Sequence, residues 1–243
     1  MSDSGFGTAA VLATVRRWLA LAVALGCGTA AALGQSNRAS DLGLGKLLVA
    51  SRNLSDPSFT QSVVLLIHYD KEGTVGLRIN YRTKAPISSL LENLDTAKRG
   101  ADPLYIGGPV EMTSVLALLR SSKKPDDQSP SVLGDVYLVS SKAALEKALT
   151  GSSGPGDLRV YLGYCGWAPG QLENEVTLGG WWIFDSTSTL VFDSYPDSIW
   201  SRLISRTERQ IARRGHGGSH WEPNPLVSGA MGEDRADARA QRE

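Results

Sequence analysis

Cysteine is nearly missing from this sequence: Cys27 and Cys165 are its two thiols in 243 residues. Two thiols exclude a disulfide framework and a tetrahedral zinc site built on cysteine. No charge of one sign dominates, since 25 basic residues face 25 acidic ones. That balance removes the general attraction to phosphate backbones that drives nucleic-acid binding, so a nucleic-acid partner is not expected, although a local basic patch is compatible with it. No Walker loop, Gly-x-Ser-x-Gly nucleophile elbow, His-Glu-x-x-His or dinucleotide fingerprint occurs, and Gly43-x-Gly45-Lys46 lacks the rest of a P-loop. No internal repeat is visible. What remains is a chain with 42% apolar residues, enough for one globular core.

One apolar run stands near the start. Trp18 to Leu33 follows Arg16-Arg17 and gives way to Gly34, Gln35 and the polar stretch Ser36 to Asp41. A positive flank, a short apolar centre and small residues before a polar exit are the parts of a secretory signal, with a cleavage site expected before Gln35. Sixteen helical residues would span about 24 Å, short of the roughly 30 Å hydrocarbon core. Residues 1–40 are therefore read as a signal-like segment, and the mature protein as exported or periplasmic. An uncleaved, membrane-tethering anchor is the alternative, and an internal start site would instead leave the protein cytoplasmic. Cys165 becomes the one thiol of the mature chain.

Further on, Lys46–Ser51, Ser62–Tyr69 and Thr74–Asn80 read as strands, the last two forming a hairpin across the turn at Asp70–Gly73. Pro86–Leu94 has apolar residues at helical spacing. Leu104–Ile106 leads into the Gly107-Gly108-Pro109 turn, Val115–Leu119 reads as strand, and Ser121–Pro130 as a polar loop. Val136–Val139 is a strand, and the helix after it starts from an N-cap at Ser140 or Ser141. The strand Leu158–Tyr164 precedes a helix at about Gln171–Leu178. Trp181–Phe184 and Leu190–Phe192 read as strands, and Pro196 opens the last helix. From Gly215 onward Gly, Pro and charge without periodicity predict a disordered tail. Hairpins mixed with intervening helices predict an α+β fold with a mixed sheet in one domain, 41–214.

Four segments together resemble the YqgE/AlgH family. They are Gly45-x-Leu47-Leu48-x-Ala50 with Asp56-Pro57-x-Phe59-x-x-Ser62-Val63-Val64; Gly73-x-x-Gly76-Leu77-x-Ile79-Asn80; Gly107-Gly108-Pro109-Val110; and Leu162-Gly163-Tyr164-x-Gly166-Trp167-x-Pro169-Gly170-Gln171-Leu172-Glu173-x-Glu175, followed by Trp181, Phe192 and Trp200. The resemblance covers residues 43 to 214. It implies a compact α+β fold with a small barrel-like sheet core flanked by helices, no settled activity, and in some members a link to exopolysaccharide control and transcriptional regulation. The chain departs from the family pattern at Tyr81-Arg82, where a basic residue and proline are common. It departs again at Leu119, where histidine is usual, and at Cys165, where alanine or serine is usual.

Cys165, placed between a strand and a helix start with His68 as a base, has the ingredients of an activated nucleophile. The competing reading, a small buried thiol packed beside Trp167, is preferred, and no catalytic residue is assigned. The Gly163–Gln171 turn offers close backbone approach at Gly163, Gly166 and Gly170 and a helix N-terminus that favours an anion. A tight structural turn, with Glu173 and Glu175 offsetting the helix dipole, is the alternative. If Asn80, Gly107, Gly108 and Pro109 face Gly163, Cys165, Gly166, Trp167, Gly170, Gln171 and Glu173, they line one groove for a ligand. His216, His220 and Glu222 sit in the flexible tail and are expected to bind metal only adventitiously. No metal or cofactor is expected. The expected partner is an unidentified small ligand or protein bound by a non-catalytic regulatory domain, with a thiol enzyme using the groove near Cys165 as the alternative.

Overall fold

The computed structural model describes residues 38–90, 102–151 and 156–216, with side chains described as far as residue 212. The signal-like segment up to residue 37 and the tail beyond His216 lie outside the described residues. The chain divides into two compact units, Met1–Arg206 and Thr207–Glu243; the described part of the second is the C-terminal stretch of the last helix.

Among the described residues the first unit has ten strands: β1 (Lys46–Ala50), β2 (Val63–Asp70), β3 (Gly73–Arg78), β4 (Arg82–Pro86), β5 (Pro103–Ile106), β6 (Val110–Arg120), β7 (Ser131–Leu133), β8 (Val136–Val139), β9 (Leu158–Trp167) and β10 (Trp181–Asp185). They form one mixed sheet in the order β10-β1-β2-β3-β9-β6-β8-β7, with β5 bridging β4 and β9. The sheet curls into a half-barrel flanked by a few helices, the α+β architecture with a mixed sheet that the sequence predicts. β9 is the hinge of the topology. Its first half pairs antiparallel with β6 and parallel with β5, while its second half pairs with β3.

Alternation along β9 feeds two cores. Leu158 and Val160 face a cluster covered by α1 (Lys142–Thr150), which buries Ala144, Leu145, Ala148 and Leu149. The Ser141 side chain accepts from the Ala144 N–H and starts that helix as an N-cap. Tyr161, Cys165 and Trp167 face the larger cluster with Leu47, Leu65, Leu77 and Trp200. The seven-residue α2 (Gln171–Thr177) follows β9, then β10, the short α3 (Ser188–Val191) and α4 (Ile199–His216).

Four local expectations change. Leu190–Phe192 is not a strand: Thr187 caps a helical turn there, its hydroxyl accepting from the Leu190 N–H. The helix expected over Pro86–Leu94 is a short 3-10 turn at Ile87–Leu90, and residues 91–94 lie outside the described residues. β4 and β7 go unpredicted because they are polar or short edge elements without an apolar run. β9 does not stop at Tyr164 but continues through Cys165, Gly166 and Trp167, held by β3.

Candidate functional site

The Gly-Gly-Pro and Gly-Tyr-x-Gly-Trp motifs do come together, but as backbone packed on backbone. A Cβ on Gly108 would sit 2.1 Å from the Tyr164 carbonyl carbon and 2.4 Å from the Cys165 nitrogen. The Gly107 carbonyl accepts from the Arg78 N–H at 2.7 Å, and the Gly107 N–H donates to Leu162 at 2.8 Å. Gly163 takes φ +67 beneath the Gly108 and Val110 carbonyls, a left-handed conformation that glycine adopts without strain. Pro109 alone of this group is exposed. Next to it, β6 carries a bulge between Val110 and Val115 with Glu111 at φ 44.

Cys165 is fully buried inside β9, opposite Gly76, and its thiol donates to the Gly107 carbonyl at 3.2 Å. Burial pushes the thiol up to about 12, against the opposing pull of the Arg78 cation. The helix-end environment that would lower it does not exist, because the strand runs two residues past Cys165. Nor is His68 its base. β3 lies between β2 and β9, which puts the two strands about 10 Å apart, and His68 Nε2 is paired with Asp70 at 2.8 Å.

The remaining predicted residues do not share a groove. The Asn80 carboxamide spans the turn before β2, accepting from the Val63 N–H and donating to the Gln61 carbonyl, both at 2.8 Å. Glu173 accepts from the Tyr69 hydroxyl at 2.7 Å, at the other end of the same strand. Six residues of strand separate Val63 from Tyr69, about 20 Å. Gly170 caps α2 at φ 76 without a side-chain bond, and Gln171 turns back to accept from the Ala168 N–H at 3.0 Å. At seven residues, and with the Glu173 carboxylate in its first turn, α2 is no ready anion site.

What the signature builds instead is an aromatic brace around one carboxylate. Trp167 and Trp181, both buried, donate their indole N–H groups to Glu175 Oε2 at 3.0 and 2.8 Å, and Gln171 Nε2 donates to Oε1 at 2.9 Å. Phe59 stacks on Trp167 at 5.9 Å and meets Trp181 edge-on at 5.5 Å. A second charged centre, not expected from the sequence, lies at the opposite end of β9. Arg159 is 6% exposed, 4.9 Å from the Tyr105 ring centroid and 5.8 Å from that of Phe192, and donates to the Ile79 and Asp193 carbonyls. Its signal in the sequence is a lone cation within an apolar strand, Leu158-Arg159-Val160-Tyr161-Leu162.

Fold and motif together define an α+β half-barrel whose longest signature segment braces its own core. Residues 47–212 match the family model described as DUF179, AlgH-like, and the chain belongs to this AlgH-like family. A UPF0301 protein of Streptomyces avermitilis is 33% identical over 176 residues, covering 69% of this chain and 88% of its own. One from Streptomyces coelicolor is 34% identical over 175 residues, with the same coverage. The solution structure of AlgH from Pseudomonas aeruginosa superposes with a TM-score of 0.54 at 24% identity, over 84% of this chain and all of that one. The crystal structure of protein DIP2367 from Corynebacterium diphtheriae gives 0.55 at 22% identity, over 67% and 85%. At these identities the two structures speak for the fold.

Proposed function

We propose that this chain is a non-catalytic regulatory domain that acts by binding a small ligand or a protein partner. The observation that carries the reading is the condition of Cys165: sealed in the sheet, with its thiol pushed up to about 12, it supplies no nucleophile at neutral pH. The signature carboxylates Glu173 and Glu175 are engaged by Tyr69, Trp167, Trp181 and Gln171, an arrangement that suits a rigid scaffold. The surface proposed for binding is what this scaffold leaves exposed, Pro109 with the neighbouring bulge and, as a separate patch, Gly170 and Gln171.

Complementation of a gene deletion tests the reading. Deletion should change the transcript profile, and Cys165→Ala should restore it fully. Failure of a folded Cys165→Ala protein to complement would return the role to thiol chemistry, and an unchanged transcript profile would remove regulation. The leader reading makes the protein exported or membrane-tethered; among the described residues no helix is long and apolar enough to cross a membrane, and residues 18–33 lie outside them. Cell fractionation with intact-mass measurement decides it: a product shortened near Gln35 supports export, and a full-length soluble cytoplasmic product overturns it.

A further inference from the structure

Four arginines from four different elements close on one short stretch of chain, Phe192–Asp197, which joins α3 to the turn before α4. Arg159 of β9 donates to the Asp193 carbonyl, and Arg202 of α4 pairs with Asp193 Oδ2 at 2.5 Å. Arg82 of β4 pairs with Asp197 Oδ2 at 2.8 Å, and Arg120 of β6 lies 5.2 Å from the Phe192 ring centroid. A neutral total charge thus conceals a local concentration of guanidinium groups.

Arg159 is the least satisfied of them. A guanidinium carries five N–H donors, and burial is costly unless they and the charge are matched. It donates to two neutral carbonyls, and the nearby Asp193 carboxylate pairs with Arg202 instead of with it. Beside it on the same face of β9, the fully buried Tyr161 hydroxyl turns its oxygen toward the guanidinium, and its own O–H has no acceptor among the described residues. A cation and a free donor, held in place by the Tyr105 and Phe192 rings, together lack an anionic acceptor.

We propose that Arg82, Arg159 and Arg202 form a binding site for a phosphorylated small molecule, which the Asp193 and Asp197 carboxylates occupy as internal stand-ins. Guanidinium forks match phosphate oxygens in pairs, and a phosphate carries about twice the charge of a carboxylate, so it competes well for the same donors. Exchange is easiest at the outer end, where Arg82 and Asp197 are 42% and 62% exposed and their pairing contributes little. Asp193, at 15% exposure, holds the inner end closed. The site goes beyond the binding role proposed above and uses none of the residues named there, so either can fail alone.

Inorganic pyrophosphate titrated into the full chain by calorimetry, at constant ionic strength, tests this. The wild type should bind saturably. Asp193→Asn with Asp197→Asn should bind about tenfold tighter, and Arg82→Gln with Arg202→Gln about tenfold weaker, the scale of one charge-assisted hydrogen bond. Asp197→Asn alone, at the exposed pair, carries the same direction if the double variant does not fold. No saturable binding in the wild type or the asparagine variants overturns the proposal. So does an asparagine variant that binds no tighter than wild type, or sulfate binding as tightly as pyrophosphate.

Discussion

The two ends of β9 solve the same problem differently. At the C-terminal end a carboxylate, Glu175, sits against buried indoles; at the N-terminal end a guanidinium, Arg159, sits against buried rings. Neither charge is neutralised by an opposite charge in direct contact. Glu175 has both oxygens filled by three N–H groups at 2.8 to 3.0 Å, the geometry of strong hydrogen bonds to a charged acceptor. Arg159 has two carbonyls, one of them at a long 3.3 Å, and an idle hydroxyl for a neighbour. A completed polar network stabilises and fixes a core, whereas an incomplete one costs stability and marks a place where something else can bind.

Substitutions at the completed end should be severe. Gly108→Ala drives a Cβ into the Tyr164 and Cys165 backbone, which cannot rotate away; a loss of about 4 kcal/mol or more is expected, read as insolubility or a collapsed urea midpoint. Glu175→Ala strands two buried indole donors and should cost about 3–5 kcal/mol in urea unfolding, at 1.5–3 for each charge-assisted bond. Glu175→Gln sharpens the point. Both indoles use one oxygen, so the amide oxygen can keep both bonds while its NH2 meets the Gln171 amide; the cost should fall to about half. Equal costs for Ala and Gln would show that packing, not hydrogen bonding, holds this end.

How much of this was legible beforehand follows from what is local. β1, β2, β3, β8 and β10 are apolar runs of strand length, and α1 announces itself through Ser141, so short-range pattern sufficed for them. The place of Cys165 was not local. The strand read as ending at Tyr164, with a turn over Gly163–Gln171, yet Thr74–Gly76 pairs with Cys165–Trp167 and carries β9 onward. The groove failed for a similar reason, since Asn80 and Glu173 anchor opposite ends of β2, and pairing register is invisible in a single strand. Arg159 drew no expectation because its cover, Tyr105 and Phe192, arrives from distant parts of the chain.

Cys165 gives a smaller effect with a defined sign. Its thiol is raised from an ordinary value near 9 to about 12 in the folded protein, so between those values the folded state holds a proton that the unfolded state has released. Stability is then complete below about pH 9 and falls as pH rises, by about 1.4 kcal/mol per pH unit. Tyr69, Tyr105, Tyr161 and Tyr164, all raised chiefly by burial, add their own loss as pH approaches and passes about 10. Between about pH 9 and 10 the difference between wild type and a thiol-free variant gives the thiol's share. Cys165→Ala should make the fall of the urea midpoint there shallower, and an unchanged slope would mean that the thiol ionises in place.

The smallest effect is expected where the charge is most buried. Arg159→Met removes a guanidinium that gains two carbonyl bonds and ring contacts but pays a large desolvation cost. A methionine of similar length fills the space between Tyr105 and Phe192, and the net change should stay within about 1 kcal/mol, in either direction. That outcome, beside the expected cost of Glu175→Ala, would separate a charge the fold uses from one it tolerates. A loss of the same size as at Glu175 would instead make Arg159 a structural tie between β9 and the Asp193 segment, and the two ends of the strand would be alike.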